Sequence, residues 1–217
     1  MLRIDFAKGS RSSCRVLCLG AHSDDIEIGC GGTILRLIEL YPNIEFYWIV
    51  FSSDERRARE ASAGARAFIG RVKKRNVVLK NFREGFFPYI AVEVKEYFEG
   101  LKHQFNPDLI FTHYRYDLHQ DHRLISELTW NTFRNHFILE YEIPKYDGDL
   151  GMPNFFVHLS SRLAQRKIQS IMKSFRTQGE KHWFDEETFR GILRLRGVES
   201  CAPERLAEAF YGRKMTF

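Results

Sequence analysis

Two short stretches of the chain hold more metal- and proton-handling side chains than packing alone would call for. The first, Ala21-His22-Ser23-Asp24-Asp25-Ile26-Glu27, places one imidazole and three carboxylates (Asp24, Asp25, Glu27) within six residues. Carboxylates this close repel one another unless a cation or a set of hydrogen-bond donors offsets them. Imidazole together with carboxylate is a donor set that suits zinc or a similar divalent metal. The same residues also fit an acidic turn that caps a helix, with a hydrogen-bonded histidine. The second stretch, Asp117-Leu118-His119-Gln120-Asp121-His122, has two histidines three positions apart around an aspartate, with another aspartate ahead of them. Gly29, Gly31 and Gly32 follow the first stretch and permit close backbone approach. Their spacing is not GxGxxG, and acidic residues stand where phosphates would sit, which argues against a dinucleotide site.

These stretches need a frame to bring them together, and the apolar pattern supplies one. Apolar runs alternate with amphipathic stretches. Strands are expected at Arg15 to Ala21, Ile44 to Phe51, Asn76 to Leu79, Leu109 to Thr112, Phe137 to Ile143 and Asn154 to Leu159. Helices are expected at Gly31 to Leu40, Asp54 to Ile69, Tyr89 to Phe105, His122 to Arg134, Arg162 to Phe175 and Glu186 to Leu195. Asp54 is a candidate cap and Gly70 a candidate stop. The alternation predicts an α/β fold: a Rossmann-like, doubly wound, mostly parallel sheet flanked by helices, as a single domain over residues 1–217. Ligands of such sheets bind beyond the carboxyl ends of the strands. Both His/Asp stretches follow strands, so they can converge in one crevice. Three ligands from two loops would leave the open position that a catalytic zinc requires.

Composition narrows the setting. At 217 residues, 44% hydrophobic and 28% charged, the chain suits one globular domain. No apolar run approaches the roughly 18 residues of a membrane span. The first residues lack the apolar core of a signal peptide, so a cytoplasmic location is expected. Cys14, Cys18, Cys30 and Cys201 lack CxxC spacing and read as free thiols. The net charge is +5, with basic clusters at Arg56-Arg57-Ala58-Arg59 and at residues 71–75. These read first as solvated faces and second as attraction to an anionic partner. No nucleic-acid motif accompanies them, so no nucleic-acid partner is expected. Nothing in the sequence argues against a homo-oligomer.

The paired motifs resemble those of the LmbE-like (PIG-L) zinc-dependent N-deacetylases. That family carries A-H-P-D-D after its first strand and H-P-D-H later; here they stand as Ala21-His22-Ser23-Asp24-Asp25 and His119-Gln120-Asp121-His122. Arg57 with Glu60 resembles an R-x-x-E segment, residues 152–156 resemble a later strand, and Ala207-Glu208-Ala209-Phe210 resembles a closing A-E-x-F. Ser23 and Gln120 replace prolines usual in the family, which removes two residues that would stiffen the loops. The resemblance implies His22, Asp25 and His122 as ligands to Zn2+, Asp24 as general base, and His119 as oxyanion stabiliser or proton donor to the leaving amine. It further implies an N-acetylglucosamine-type conjugate as substrate, with acetate released.

Amide hydrolysis needs an activated water and a stabilised alkoxide, and a three-ligand zinc beside a free carboxylate meets both needs. Arg57, Arg115 and Asp117 are candidate substrate contacts. Asp117 is also a candidate for orienting His119 or Arg115, and Arg57 for fixing the metal loop or pairing with Glu60. His113 is expected near the mouth. Phe86, Phe87, Tyr89 and Trp183 read first as core and second as sugar-stacking rings. His103, His136, His158 and His182 lack a partner pattern and read as structural or surface residues. Two other readings are a zinc hydrolase of another amide or an ester, and a metal- or carbohydrate-binding protein without turnover.

Overall fold

The computed structural model describes residues 14–216. The reading of the first residues as free of a signal peptide therefore lies outside the described residues, as do the ends of the proposed 1–217 domain. Seven strands form one sheet in the order β3-β2-β1-β4-β5-β7-β6. Its parallel part comprises β1 (Arg15–Gly20), β2 (Glu45–Val50), β3 (Lys74–Leu79), β4 (Leu109–His113) and β5 (Phe137–Tyr141). β6 (Phe155–His158) and β7 (Ala207–Gly212) close one edge in antiparallel register. The doubly wound, mostly parallel expectation is thus met.

Two apolar layers sandwich the sheet, because alternate residues of β1 point to opposite faces. Val16 and Cys18 face α1 (Asp25–Leu40), α2 (Glu55–Ile69), α5 (Ser161–Ser174) and α6 (Glu186–Glu199). Leu17 and Leu19 face α3 (Ala91–Gln104) and α4 (Gln120–Thr132). Such double-sided burial makes the strand read as a continuous apolar run. Asp54 caps α2 by accepting from the Arg57 N–H at 2.8 Å, and Gly70 ends it, as expected. No helix among the described residues is long and apolar enough to cross a membrane.

Several boundaries differ from the sequence reading: β3 begins at Lys74 rather than Asn76, α4 at Gln120 rather than His122, β5 ends at Tyr141 rather than Ile143, and α6 runs to Glu199 rather than Leu195. Helix α1 starts at Asp25 rather than Gly31, so its three glycines lie inside it. Their low helix propensity is overridden by packing: a methyl group on Gly29 would collide with the Tyr141 ring, and one on Gly32 with Leu159. The expected helix from Tyr89 begins instead as a single tight 3-10 turn, Phe87–Ile90, with Pro88 in its first turn. Strand β7 has no counterpart in the sequence reading, although its residues carry the A-E-x-F motif.

That strand braces α1. Glu208, only 3% exposed, accepts from the Gly32 and Thr33 N–H groups at 2.8 and 2.6 Å. Lys167 of α5 donates to Glu208 at 2.6 Å and to the Ile28 carbonyl, also at 2.6 Å. The acid takes two mid-helix donors and the base takes a mid-helix acceptor, so neither charge is buried alone. Removing one partner of such a pair strands the other charge, at a cost of about 3–5 kcal/mol. Glu208→Ala is expected to lower the unfolding free energy by about that amount in a urea titration; a loss below about 1 kcal/mol, the scale of an exposed pair, would show that the brace is not structural.

Candidate active site

The sheet reverses its winding between β1 and β4, which are adjacent parallel strands. This is the position where a doubly wound sheet leaves a crevice at its carboxyl edge. The loop after β1 brings His22, Asp24 and Asp25; the loop after β4 and the first turn of α4 bring Asp117, His119 and His122. All of these except His119 are buried.

The centre of the site is a close approach of three donors. His22 Nδ1 and His122 Nε2 lie 3.0 Å apart. Asp25 Oδ2 is 3.4 Å from His22 Nδ1, and Asp25 Oδ1 is 3.5 Å from His122 Nε2. Each imidazole has its far nitrogen on a carboxylate. His22 Nε2 faces Asp121 Oδ2 at 3.2 Å, and His122 Nδ1 faces Asp117 Oδ2 at 3.0 Å. If those far nitrogens carry the protons, the two lone pairs point at the shared centre beside Asp25. Carboxylate-backed imidazoles of this kind are how metal-ligating histidines are held in one tautomer. The donor set fits a divalent cation, and two overlapping groups have donor atoms within 4.8 Å of one another: His22, His119 and His122, and Asp25, His113 and His122.

Charge in the site is divided in keeping with this geometry. Burial depresses the His22 imidazole, but Asp25 and Asp121 outweigh it and hold the ring at about 10. Burial and the neighbouring His113 hold His122 down at about 3. The two facing imidazoles are thus pushed in opposite directions. Burial raises the Asp25 carboxyl, yet His122, His113 and His22 drive it well below the usual range. For its neighbour Asp24, burial prevails over the opposing Arg57 and raises the carboxyl. Adjacent aspartates are therefore pushed apart, one firmly ionised and the other more basic. Glu27 does not share the site. It is fully buried, neither carboxylate oxygen has a hydrogen-bond partner, and burial raises it well above the usual value. Its place inside α1 turns it toward Gly64 and Phe175, so the three carboxylates of the first motif do not act as one cluster.

His119 is the N-cap of α4, and its Nδ1 accepts from the Asp121 N–H at 3.2 Å. Its ring lies 4.8 Å from that of His22 and 4.5 Å from that of His122. Burial, then the His22 charge, lowers its pKa. Because Nδ1 accepts from a backbone N–H, the ring presents an N–H at Nε2 as a hydrogen-bond donor, and the lowered pKa favours the neutral imidazole over the protonated form. Arg57 reaches the site from α2: one guanidinium nitrogen is 2.9 Å from Asp24 Oδ1, and the other is 2.9 Å from Thr177 Oγ1 and 3.4 Å from Glu60. These guanidinium contacts are to the protein, both to Asp24 of the β1 loop and to Glu60.

Other expected contacts lie elsewhere. Asp117 is 1% exposed, so it is not a mouth residue; it sits beneath His122 and pairs with Lys145 at 3.1 Å. Its Oδ1 accepts from the His119 backbone N–H at 2.8 Å, so the ring that it orients is His122, not His119. Arg115 makes no contact with the His/Asp cluster: its guanidinium lies 5.2 Å from the Trp130 ring centroid, and its backbone N–H donates to Glu140 at 2.9 Å. His113 lies under the site rather than at its mouth: its Nε2 accepts from the Ala21 N–H at 2.9 Å and is 3.2 Å from Asp25.

Sequence reasoning passed over Asp121, although it lies between the two motif histidines. It accepts from the Gly85 and Phe87 N–H groups at 2.6 and 3.1 Å while facing His22. Lys145 and Thr177 carried no signal, since both come from distant loops. The two departures from proline are bridged by side chains. Ser23 Oγ donates to the Ser52 carbonyl at 3.5 Å, and the Gln120 amide donates to the Gly85 carbonyl.

Comparisons with known proteins bear on the fold and the family. The N,N'-diacetylchitobiose deacetylase from Pyrococcus horikoshii superposes with a TM-score of 0.68 at 23% identity, over 92% of this chain and 83% of that one. The conserved protein TT1542 from Thermus thermophilus gives 0.73 at 18% identity, over 93% and 96%. GalB, the 4-carboxy-2-hydroxymuconate hydratase from Pseudomonas putida, gives 0.67 at 15% identity, over 94% and 98%. At these identities the likeness is one of fold, which a deacetylase and a hydratase here share. A family profile described as PIG-L, GlcNAc-PI de-N-acetylase, matches residues 17–133. The matched span is more than half of the chain and contains both His/Asp loops; the chain belongs to the PIG-L (LmbE-like) family.

Proposed function

We propose that the protein is a metal-dependent hydrolase that removes the N-acetyl group from an N-acetylglucosamine-type amino-sugar conjugate. The observation that carries this reading is the facing pair His22 Nδ1 and His122 Nε2, 3.0 Å apart, with Asp25 beside them and a carboxylate behind each ring. Family membership supports the reaction class, and the P. horikoshii neighbour, itself named a deacetylase of a diacetylated sugar, supports the substrate class.

His22, Asp25 and His122 would hold the ion, with zinc the best match to two imidazoles and one carboxylate. A divalent ion at this centre supplies Lewis acidity toward the acetyl carbonyl and lowers the pKa of water to about 7. Asp24 then accepts the proton of the attacking water; its raised basicity suits that role. Arg57 holds Asp24 through Oδ1, leaving Oδ2 for the water. As oxygen adds to the acetyl carbon, negative charge grows on the carbonyl oxygen, and the His119 Nε2–H is the donor we assign to it. The C–N bond then breaks as the amine takes the proton held by Asp24; the acetic acid formed gives its remaining proton to the free amine or to solvent and leaves as acetate. Asp117 and Asp121 act through the histidines that they orient.

Four measurements test this reading. Protein purified without chelator should hold close to one equivalent of divalent metal by elemental analysis, and His22→Ala, Asp25→Ala and His122→Ala should each lose it. Asp117→Ala and Asp121→Ala should keep the site but bind the ion about 10–100-fold more weakly, the usual effect of removing an outer carboxylate. Unchanged affinity in both would remove the orienting role. Asp24→Asn should keep its metal while the rate of acetate release falls by about 10²–10⁴, chiefly in kcat. Loss of metal in step with activity would make Asp24 a ligand instead. The substrate is tested with a panel of N-acetylglucosamine conjugates against simple acetyl esters; turnover of the esters alone would replace the deacetylase reading with the esterase one.

A further inference from the structure

Away from the metal-ligating set, the loop after β4, α4 and the segment that follows α4 border an open cleft of about 490 Å3, lined by Arg115, Arg123, Glu127, Trp130, Asn131 and Arg134. At its base is Glu140 of β5, a carboxylate with no exposed surface. Glu140 accepts from the Arg115 backbone N–H at 2.9 Å, from Trp130 Nε1 at 2.6 Å, and from two nitrogens of Arg213 at 2.6 and 2.8 Å. One buried acid thus fixes an indole, a backbone segment and a guanidinium, and its own charge is neutralised by Arg213.

The charge that remains around the cleft is positive. The Arg115 guanidinium touches only the Trp130 ring, 5.2 Å from its centroid. Lys214 lies 5.5 Å from the same centroid and donates to the Arg134 carbonyl at 2.5 Å. Arg134 Nε finds only the Asn131 carbonyl, at 3.3 Å. Arg123 donates to the Asp117 and Leu118 carbonyls at 3.1 and 2.5 Å. Among the described residues none of these four cations has a carboxylate partner, and Glu127 is the only acid in the lining. Several uncompensated cations around one concavity focus a positive potential. Guanidinium groups match phosphate oxygens in paired, charge-assisted hydrogen bonds. A single carboxylate would leave most of this charge unmet, whereas a multiply charged phosphate would not.

We propose that this cleft binds a phosphate-bearing ligand, separately from the hydrolytic centre and independently of the reaction proposed for it. Arg115 and Lys214 both lie over the Trp130 ring, so recognition falls on the phosphate and not on a stacked ring. The test is a titration of the full chain at low salt with inorganic pyrophosphate and, in a parallel arm, with UDP, followed by calorimetry and tryptophan fluorescence. Saturable one-to-one binding is expected in at least one arm. Pyrophosphate alone would identify free phosphate as the ligand type, and UDP binding as tightly or more tightly a phosphate ester. Arg115→Gln combined with Arg134→Gln should weaken binding about tenfold or more. Arg59→Gln, at an exposed arginine paired with Glu55, should leave it unchanged, and Trp130→Phe should abolish the fluorescence response but not the heat. Asp25→Ala separates the cleft from the metal centre, since binding at the cleft should survive it. The proposal is overturned if neither probe saturates at millimolar concentration, if the double Arg variant binds like the unaltered protein, or if Asp25→Ala in folded form removes the binding.

Discussion

Two imidazoles from loops 100 positions apart are held with ring nitrogens 3.0 Å from one another. Much of the architecture around the crevice meets that demand. Bringing two such groups together under burial is unfavourable unless a proton or a cation sits between them and their far nitrogens are satisfied. Asp121 and Asp117 satisfy those nitrogens. Each is then held by further partners: Asp121 by the Gly85 and Phe87 N–H groups, Asp117 by Lys145 and the His119 N–H. The demand therefore spreads outward from the rings to the turn after β3 and the loop after β5.

The same layout explains how one acidic motif yields three different carboxyl groups. Asp25 is surrounded by imidazoles and stays ionised. Asp24 is buried against Arg57 and becomes more basic. Glu27 is carried by the helical turn into the apolar layer, without a partner. Sequence proximity suggested one repelling cluster, but a helix starting at Asp25 points these side chains in different directions. Helix α1 itself is clamped in its middle by Glu208 and Lys167, so the closing motif of the chain supports the opening one.

The replacement of two family prolines illustrates how loop rigidity can come from different sources. Proline restricts φ directly. Here Ser23 and Gln120 bond to the carbonyls of Ser52 and Gly85, which lie on neighbouring loops of the same carboxyl edge. The restraint has moved from the backbone of one residue to a contact between two segments. The ligand loop after β1 and the α4 N-terminus are both tied to that edge.

The order of most strands and helices, the edge of the sheet that carries chemistry and the convergence of the two His/Asp loops were legible in the sequence, while His22, Asp25 and His122 were singled out by the family resemblance. Apolar periodicity fixes element type locally, and a parallel sheet sends its loops to a common edge. The roles of Asp121 and Asp117, the buried seat of His113, the position of Arg115 beside Trp130 and the Arg57 contact with Asp24 were decided by tertiary structure. Each depends on which distant backbone donor or side chain meets the residue: Gly85 for Asp121, Ala21 for His113, Glu140 for Arg115 and Thr177 for Arg57. Strand β7 was hidden for a related reason. Its pairing is antiparallel and non-local, and its Glu208, a poor strand former by composition, is buried because α1 and Lys167 supply the partners that the local sequence does not.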